Sequence, residues 1–304
     1  MLTTIDTIEA DFLARRRRPP ELAGAFGAAW ARIEAGRDDG GAEGEQGCRG
    51  ALARTGQLVA HAIDAAAAAA GREPAYHNRH HMAEATLAMG LLCQAALQQG
   101  LITGIEAAVG LVGMVGHDMG HDGSTVGGGV LERRSSDAVA PIAVAAGLDG
   151  HVLDALADVI LATDVTLAVE NAERLAGGRP PGRLGRGQDV LRVLANEADI
   201  FGSMLPRLGP MLSRALAEEW RPSGDPALAR VGTAAGRLEF LRACPPLSGP
   251  AVALGLCVAR ARCFEAWAAA GERLGAGATP EAGCAALDRL APMEAAAVYG
   301  AALG

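Results

Sequence analysis

Five of the seven histidines fall in two short segments, Tyr76-His77-Asn78-Arg79-His80-His81 and His117-Asp118-Met119-Gly120-His121. His77 and His81 are four residues apart, as are His117 and His121. That spacing puts both members of a pair on one helix face. Asp118 follows the first of the second pair, at the end of an apolar stretch from Ala107 to Gly116. A bare carboxylate at the end of a buried helix is very costly, so a His-Asp pair there needs a partner. A divalent cation is one such partner. A second acid, Asp199, sits inside another apolar segment, Val193 to Met204. Two imidazoles and two carboxylates, in the order His81, His117-Asp118, Asp199, make a ligand set suited to Zn2+, Mn2+ or Fe2+. A lone histidine on an apolar face is usually a hydrogen-bonded core residue, and an isolated His-Asp dipeptide says little. The ordered set is what points to a metal.

Such ligands must be held by rigid elements, and the composition provides helices. Half of the 304 residues are hydrophobic and only 3% aromatic, so the core is built from Ala, Leu and Val, which favours helix. Residues 1 to 35 hold two helical patterns broken at Pro19-Pro20. Gly36 to Gly47 is Gly- and acid-rich without an apolar period and reads as a flexible loop. A helix is expected from about Ala51 to Ala70, ending at Gly71. Val152, Leu153, Leu156, Val159 and Ile160 mark one face of another, with Asp149 in position to cap it. Gly177 to Gly187 reads as a mobile loop, Gln188 to Leu205 as a helix stopped by Pro206, and Thr279-Pro280-Glu281 as a helix start. No strand alternation and no repeat is visible. The expected architecture is all-α and compact, with an N-terminal helical appendage and loop over residues 1–50 and a main domain over 51–304.

Charge and cysteine usage narrow the partners. The net charge is −8, and all 27 basic residues are Arg, a bias read as G- and C-rich coding rather than function. An acidic chain lacks the basic stripe that nucleic acid requires. The run Arg15 to Arg18, before Pro19, reads as a solvated helix end. The six cysteines form no CxxC pair and suit buried thiols in a reducing compartment. With no signal-peptide core and no run long enough to span a bilayer, a soluble cytoplasmic protein is expected, acting on a small molecule, with a homodimer left open.

The motifs resemble those of class I cyclic nucleotide phosphodiesterases, within the HD superfamily, and the chain looks like a divergent, bacterial-looking member. Tyr76 to His81 (YHNRHH) is similar to that family's YHNxxH, and His117 to Gly123 (HDMGHDG) to its HDxxHPG. Val130-Leu131-Glu132 resembles VLE, Ile160 to Asp164 resembles ILATD, and Glu197-Ala198-Asp199-Ile200 resembles AADxSN. Glu218-Glu219-Trp220 with Gly224-Asp225 is similar to EEFxxxGD. Position by position, the resemblance implies that His81, His117, Asp118 and Asp199 hold the tighter metal, Zn2+ or else Mn2+ or Fe2+. Asp118 would bridge to a second metal, Mg2+ or Mn2+, and the pair would activate a bridging hydroxide. His77 would be the general acid for the leaving 3′ oxygen, oriented by Glu219. His121, Glu132 and Asp164 would surround the second metal and its waters, with Tyr76 beside the substrate. His80 is not carried over, because adjacent helix residues point about 100° apart.

The chain departs from the pattern in places. Asp122 replaces the Pro after the third His, Val126 takes an Asn place and Glu84 an Asp place. Phe240 fits the base-clamping Phe, which puts Arg237 in the slot of the purine-gripping Gln. If Arg237 reaches a base it would prefer the two acceptors of guanine; otherwise it would point to solvent or pair with Glu239 or another acid. The leading expectation is hydrolysis of a 3′,5′-cyclic nucleotide to the 5′-monophosphate. The alternatives are an HD phosphohydrolase acting on another phosphodiester or a nucleotide, a di-iron oxygenase, and a non-catalytic nucleotide sensor.

Overall fold

The computed structural model describes residues 4–35, 43–177 and 185–304. The described residues form helices and no strand. In chain order the helices are α1 Ile5–Arg15, α2 Leu22–Ala35, α3 Glu43–Ala70, α4 Arg79–Gln98, α5 Gly104–Gly116, α6 Val130–Ala145, α7 Gly150–Ala162, α8 Ala168–Leu175 and α9 Arg186–Asp199. They continue as α10 Phe201–Met204, α11 Gly209–Trp220, α12 Pro226–Ala229, α13 Ala234–Ala243, α14 Gly249–Ala253, α15 Leu256–Arg273, α16 Pro280–Leu287 and α17 Pro292–Leu303. No described helix is long and apolar enough to cross a membrane.

The chain divides into two compact units. The larger comprises Ala14–Phe201 with Pro245–Leu254; the smaller comprises Met1–Leu13, Gly202–Cys244 and Gly255–Gly304. Helix α2 packs on α3 and α4 inside the larger unit.

Helix α5 is the axis of the larger unit. Every residue from Ala107 to Gly116 is buried, and α5 packs against α2, α3, α4, α7 and α9. Thr103 and Glu106 start it as a reciprocal capping box, the Thr103 hydroxyl accepting from Glu106 N–H and the Glu106 carboxylate from Thr103 N–H. Gly113 is needed for the approach of α7: a Cβ there would lie 2.5 Å from Cγ1 of Val159. In the smaller unit α15 packs on α16 and α17, and α13 on α16. Glu9 of α1 is buried there and accepts the N–H groups of Arg207 and Leu208, two of the donors that precede α11.

Several boundaries differ from the sequence reading. Helix α3 begins at Glu43, so residues 43–47 are helical despite two glycines, while 36–42 lie outside the described residues. Most of the Gly177–Gly187 loop also lies outside them. The helix expected over 188–205 is interrupted at Ile200, so Asp199 ends α9. Asp149 occupies the first position before α7 without a capping hydrogen bond from its side chain. Arg16 is not a freely solvated charge. Its guanidinium forms a two-pronged pair with the buried Glu84 carboxylate, at 2.5 and 2.9 Å. Arg15, Arg17 and Arg18 are exposed.

Candidate metal centre

The first ligand segment is shaped by a cap. Asn78 precedes α4, and its Oδ1 accepts from the N–H groups of His80 and His81 at 3.0 and 3.2 Å. Its Nδ2 donates to the carbonyls of Pro74 and Ala75. Arg79 pairs with Glu73 at 3.1 Å and Asp64 at 3.2 Å, which ties the incoming loop to α3. Asn78 and Arg79 therefore set the start of the helix, and His81 lies in its first turn. The His81 ring is 2% exposed and stands 4.6 Å from the Tyr76 ring. His80 is turned away from this cluster; burial, then the charge of Arg16, lowers its pKa.

The second segment ends α5. His117 Nδ1 lies 2.8 Å from the Met114 carbonyl oxygen, which can only accept, so Nδ1 carries the proton and Nε2 is free to bind. The chain then turns tightly, with His121 N–H donating to the Asp118 carbonyl. Asp199 arrives from the last position of α9.

Four atoms converge within the larger unit. His81 Nε2 is 3.0 Å from Asp199 Oδ1 and 3.4 Å from Asp118 Oδ2. His117 Nε2 is 3.1 Å from Asp118 Oδ2, 3.4 Å from Asp199 Oδ1 and 3.4 Å from His81 Nε2. Neighbouring ligands of one ion, each about 2.0–2.2 Å from it, lie roughly 3.0–3.5 Å apart, so the spacings among His81, His117 and Asp199 fit a single cation, with Asp118 Oδ2 beside the two imidazoles. Asp118 Oδ2 is fully buried and makes no hydrogen bond of acceptable geometry. An orphaned carboxylate oxygen facing two imidazole nitrogens is what a bound cation would satisfy.

The electrostatics agree. Burial disfavours the His81 imidazolium, but Asp118 and Asp199 outweigh it and lift its pKa to about 9; His117 shifts the same way. Burial would raise both carboxyls, yet the two imidazoles outweigh it and hold Asp118 and Asp199 well below the usual range. Without a metal, protons on the histidines balance the carboxylates, and a cation bound there would take their place.

More ionisable groups surround the four. Glu132, in the first turn of α6, is pushed up by burial and further by the charges of Asp164, Asp118 and Asp199. These acids therefore share one field, and a second cation there would relieve it. Asp164 Oδ1 accepts from the N–H and hydroxyl of Thr166 at 2.9 and 2.7 Å. His77 and His121 stack at 3.7 Å, and His121 Nδ1 accepts from Gly123 N–H, which leaves its Nε2 as the other site. The Tyr76 ring meets His77 edge-on at 4.7 Å. Asp122, in place of a Pro, pins this loop through Ser124 N–H and Arg134; the Ser124 bonds lead in lowering its pKa to about 2.

The remaining residues lie in the smaller unit: Glu219 on α11, Arg237 and Phe240 on α13. Arg237 meets neither expectation for it. It is 2% exposed, and its terminal nitrogens donate to the carbonyls of Ser203 and Leu205, at 2.7 and 2.9 Å. Glu239 pairs with Arg230 instead. Its terminal nitrogens are thus turned to backbone carbonyls rather than to solvent or an acid. Phe240 is half-buried.

Sequence reasoning missed three supporting groups. Asn78 could have been found, since Asn at the start of a helical pattern is a cap signal. The Arg16–Glu84 pair, 68 residues apart, has no local signal. Nor does Glu197, whose buried carboxylate takes the N–H and hydroxyl of Ser248 at 2.6 Å and is raised by burial to about 7.

No protein-family model and no curated protein matches the chain. Solved structures do. LmjPDEB1 of Leishmania, in complex with IBMX, superposes with a TM-score of 0.59 at 17% identity, over 83% of this chain and 89% of that one. The phosphodiesterase domain of the RhoPDE fusion protein from the choanoflagellate Salpingoeca rosetta gives 0.56 at 16%, over 92% and 91%. The fold is thus the all-α fold of phosphodiesterase catalytic domains.

Proposed function

We propose that this chain is a metal-dependent phosphodiesterase that hydrolyses a 3′,5′-cyclic nucleotide to the nucleoside 5′-monophosphate. The observation that carries the reading is the convergence of His81, His117, Asp118 and Asp199, with one carboxylate oxygen orphaned, in a chain folded like phosphodiesterases. These four residues would hold a tight Zn2+, or Mn2+ or Fe2+, and the field of Asp118, Glu132 and Asp164 suits a second ion, Mg2+ or Mn2+. When bound, divalent cations supply an activated nucleophile and neutralise phosphate charge.

The chain's own residues do the rest. His117 is fixed by the Met114 carbonyl in the tautomer that turns Nε2 inward. Asn78 sets His81, and Tyr76 covers its ring. His77, outside the ligand set and stacked on His121, is the group assigned to deliver a proton to the leaving 3′ oxygen. Glu219 keeps its proposed orienting role on the strength of its motif alone.

One observation favours a second substrate class. With the terminal donors of Arg237 engaged, no purine-reading residue is identified, so another phosphodiester is the competing reading. Metal analysis with a panel of cyclic AMP, cyclic GMP, bis(p-nitrophenyl) phosphate and a nucleoside monophosphate separates them. Metal-dependent turnover of a cyclic nucleotide is expected. Turnover of the aryl diester alone would move the assignment to the second class, and a metal-loaded protein inert on every diester would end both.

A further inference from the structure

A polar seam joins α7 and α9 inside the larger unit. At its start Gln188 Nε2 donates to the Ala155 carbonyl and to Asp158 Oδ2, at 3.1 and 2.8 Å. One turn on, the Arg192 guanidinium pairs with the same Asp158 carboxylate, its Nε 2.7 Å from Oδ2. A further turn on, Asn196 Nδ2 donates to the Ala162 carbonyl at 2.6 Å. Gln188, Arg192 and Asn196 are four residues apart, so they share one face of α9; Ala155, Asp158 and Ala162 do the same on α7. The partners advance together along both helices, so α7 and α9 run in the same direction and finish side by side.

Beyond each finish stands an acid of the metal centre. Asp199 closes α9, one turn past Asn196. Asp164 comes two residues after Ala162, the last residue of α7. Asn196 is therefore the rung of the seam nearest both acids.

The rung is buried: Asn196, Ala162 and Asn171 are 7, 3 and 5% exposed. The Ala162 carbonyl belongs to the last turn of α7, where the helix has no further N–H to offer it. A carbonyl only accepts, so the Asn196 atom that meets it is the amide nitrogen. The oxygen of the same amide accepts from Asn171 Nδ2 of α8, at 2.8 Å. One side chain thus ties α7, α8 and α9 together at the site end of the seam. Asp164 is steadied from the other side. Its Oδ1 takes the N–H and hydroxyl of Thr166, and its Oδ2 lies toward the start of α6, where a Cβ on Gly129 would sit 3.4 Å from it. Glu132 stands in that first turn of α6.

We propose that Asn196 is a positioning residue for the second cation: by tying the Ala162 carbonyl to α9 it fixes Asp164 relative to Asp199. The inference rests on the two-cation reading given above. Asn196 is not itself a ligand in it, because both ends of its amide are spent on Ala162 and Asn171.

The test is a titration of the full chain, loaded with one equivalent of Zn2+, with Mn2+. Free Mn2+ is followed by electron paramagnetic resonance and bound Zn2+ by metal analysis, so no turnover is needed. Asn196→Ala should keep its Zn2+ and weaken Mn2+ by about tenfold or more, the usual effect of losing a group that orients a metal ligand. Arg192→Met cuts the seam farther from the site; it should lower Tm and leave Mn2+ affinity unchanged. Asn171→Ala leaves the tie to Ala162 and removes only the bond that steadies the amide. It should weaken Mn2+ in the same sense but by less, and it carries the test should Asn196→Ala fail to fold. Unchanged Mn2+ affinity in the Asn variants would overturn the proposal alone. So would an equal loss in Arg192→Met, or a loss of Zn2+ in step with Mn2+, since either would make Asn196 a general support of the fold. A Zn2+-loaded wild type that binds no Mn2+ would overturn the two-cation reading and the proposal with it.

Discussion

Asp118 is the residue on which the proposed chemistry turns, because its Oδ2 faces both histidines and has no hydrogen-bond partner. Asp118→Ala should abolish turnover and most bound metal; full occupancy by metal analysis would remove it from the ligand set. His77 should behave differently. If it protonates the leaving oxygen, His77→Ala should cost roughly a hundredfold or more on a cyclic nucleotide. On bis(p-nitrophenyl) phosphate, whose leaving group needs no proton, the loss should be much smaller. Equal losses on the two substrates would make His77 structural. Protons compete with the metal as well. With His81 lifted to about 9, metal binding must release its proton below that pH. Apparent metal affinity should therefore rise with pH up to about 9, by about tenfold per unit for each proton released. A flat profile from pH 6 to 9 would mean that His81 is not a ligand.

At the scale of the element, the start of α4 does the positioning. Asn78 satisfies two N–H groups of that first turn, one of them on His81 itself. Asn78→Ala should cost about 0.5–2 kcal/mol of stability in denaturant unfolding, the usual range for a cap. It should also weaken metal binding, because the ligand turn frays, whereas Asn78→Asp keeps the acceptor but loses the Nδ2 donors to Pro74 and Ala75 and should fall between the two. Loss of stability without loss of metal affinity would separate the cap from the site. The same logic explains Gly113, whose lack of a side chain lets Val159 of α7 sit against α5.

At the scale of the molecule, metal and fold are linked. A ligand that binds only the folded chain stabilises it by about 2.7 kcal/mol at a hundred times its Kd. Chelation should lower Tm, and Asp118→Ala should remove most of that sensitivity. The metal-free protein has its own pH window. His81 is raised above its unfolded value near 6.5, so its contribution is full below that pH and is lost as pH rises through about 9. Asp118 and Asp199 are lowered, so theirs is present above about 4 and is lost in acid. Chelated protein should be most stable between about pH 4 and 6.5, and loaded protein should hold its stability to higher pH, as thermal melts across pH would show.

The ligand set was legible in the sequence because its signal is local: His, Asp and their spacing survive as letters, and a buried acid in an apolar helix needs a partner wherever it falls. The all-α class followed from composition and helical periodicity for the same reason. What only the tertiary structure decided is what depends on contacts distant along the chain. Arg16 with Glu84, Glu197 with Ser248 and Glu9 with the start of α11 join residues from 51 to 199 positions apart, and no local pattern announces them. Arg237 is the plainest case. An Arg in a helical pattern can point to solvent, to an acid or to a base, and its letter favours none of these. Here the carbonyls of Ser203 and Leu205, beside the break around Pro206, gave it a buried place instead.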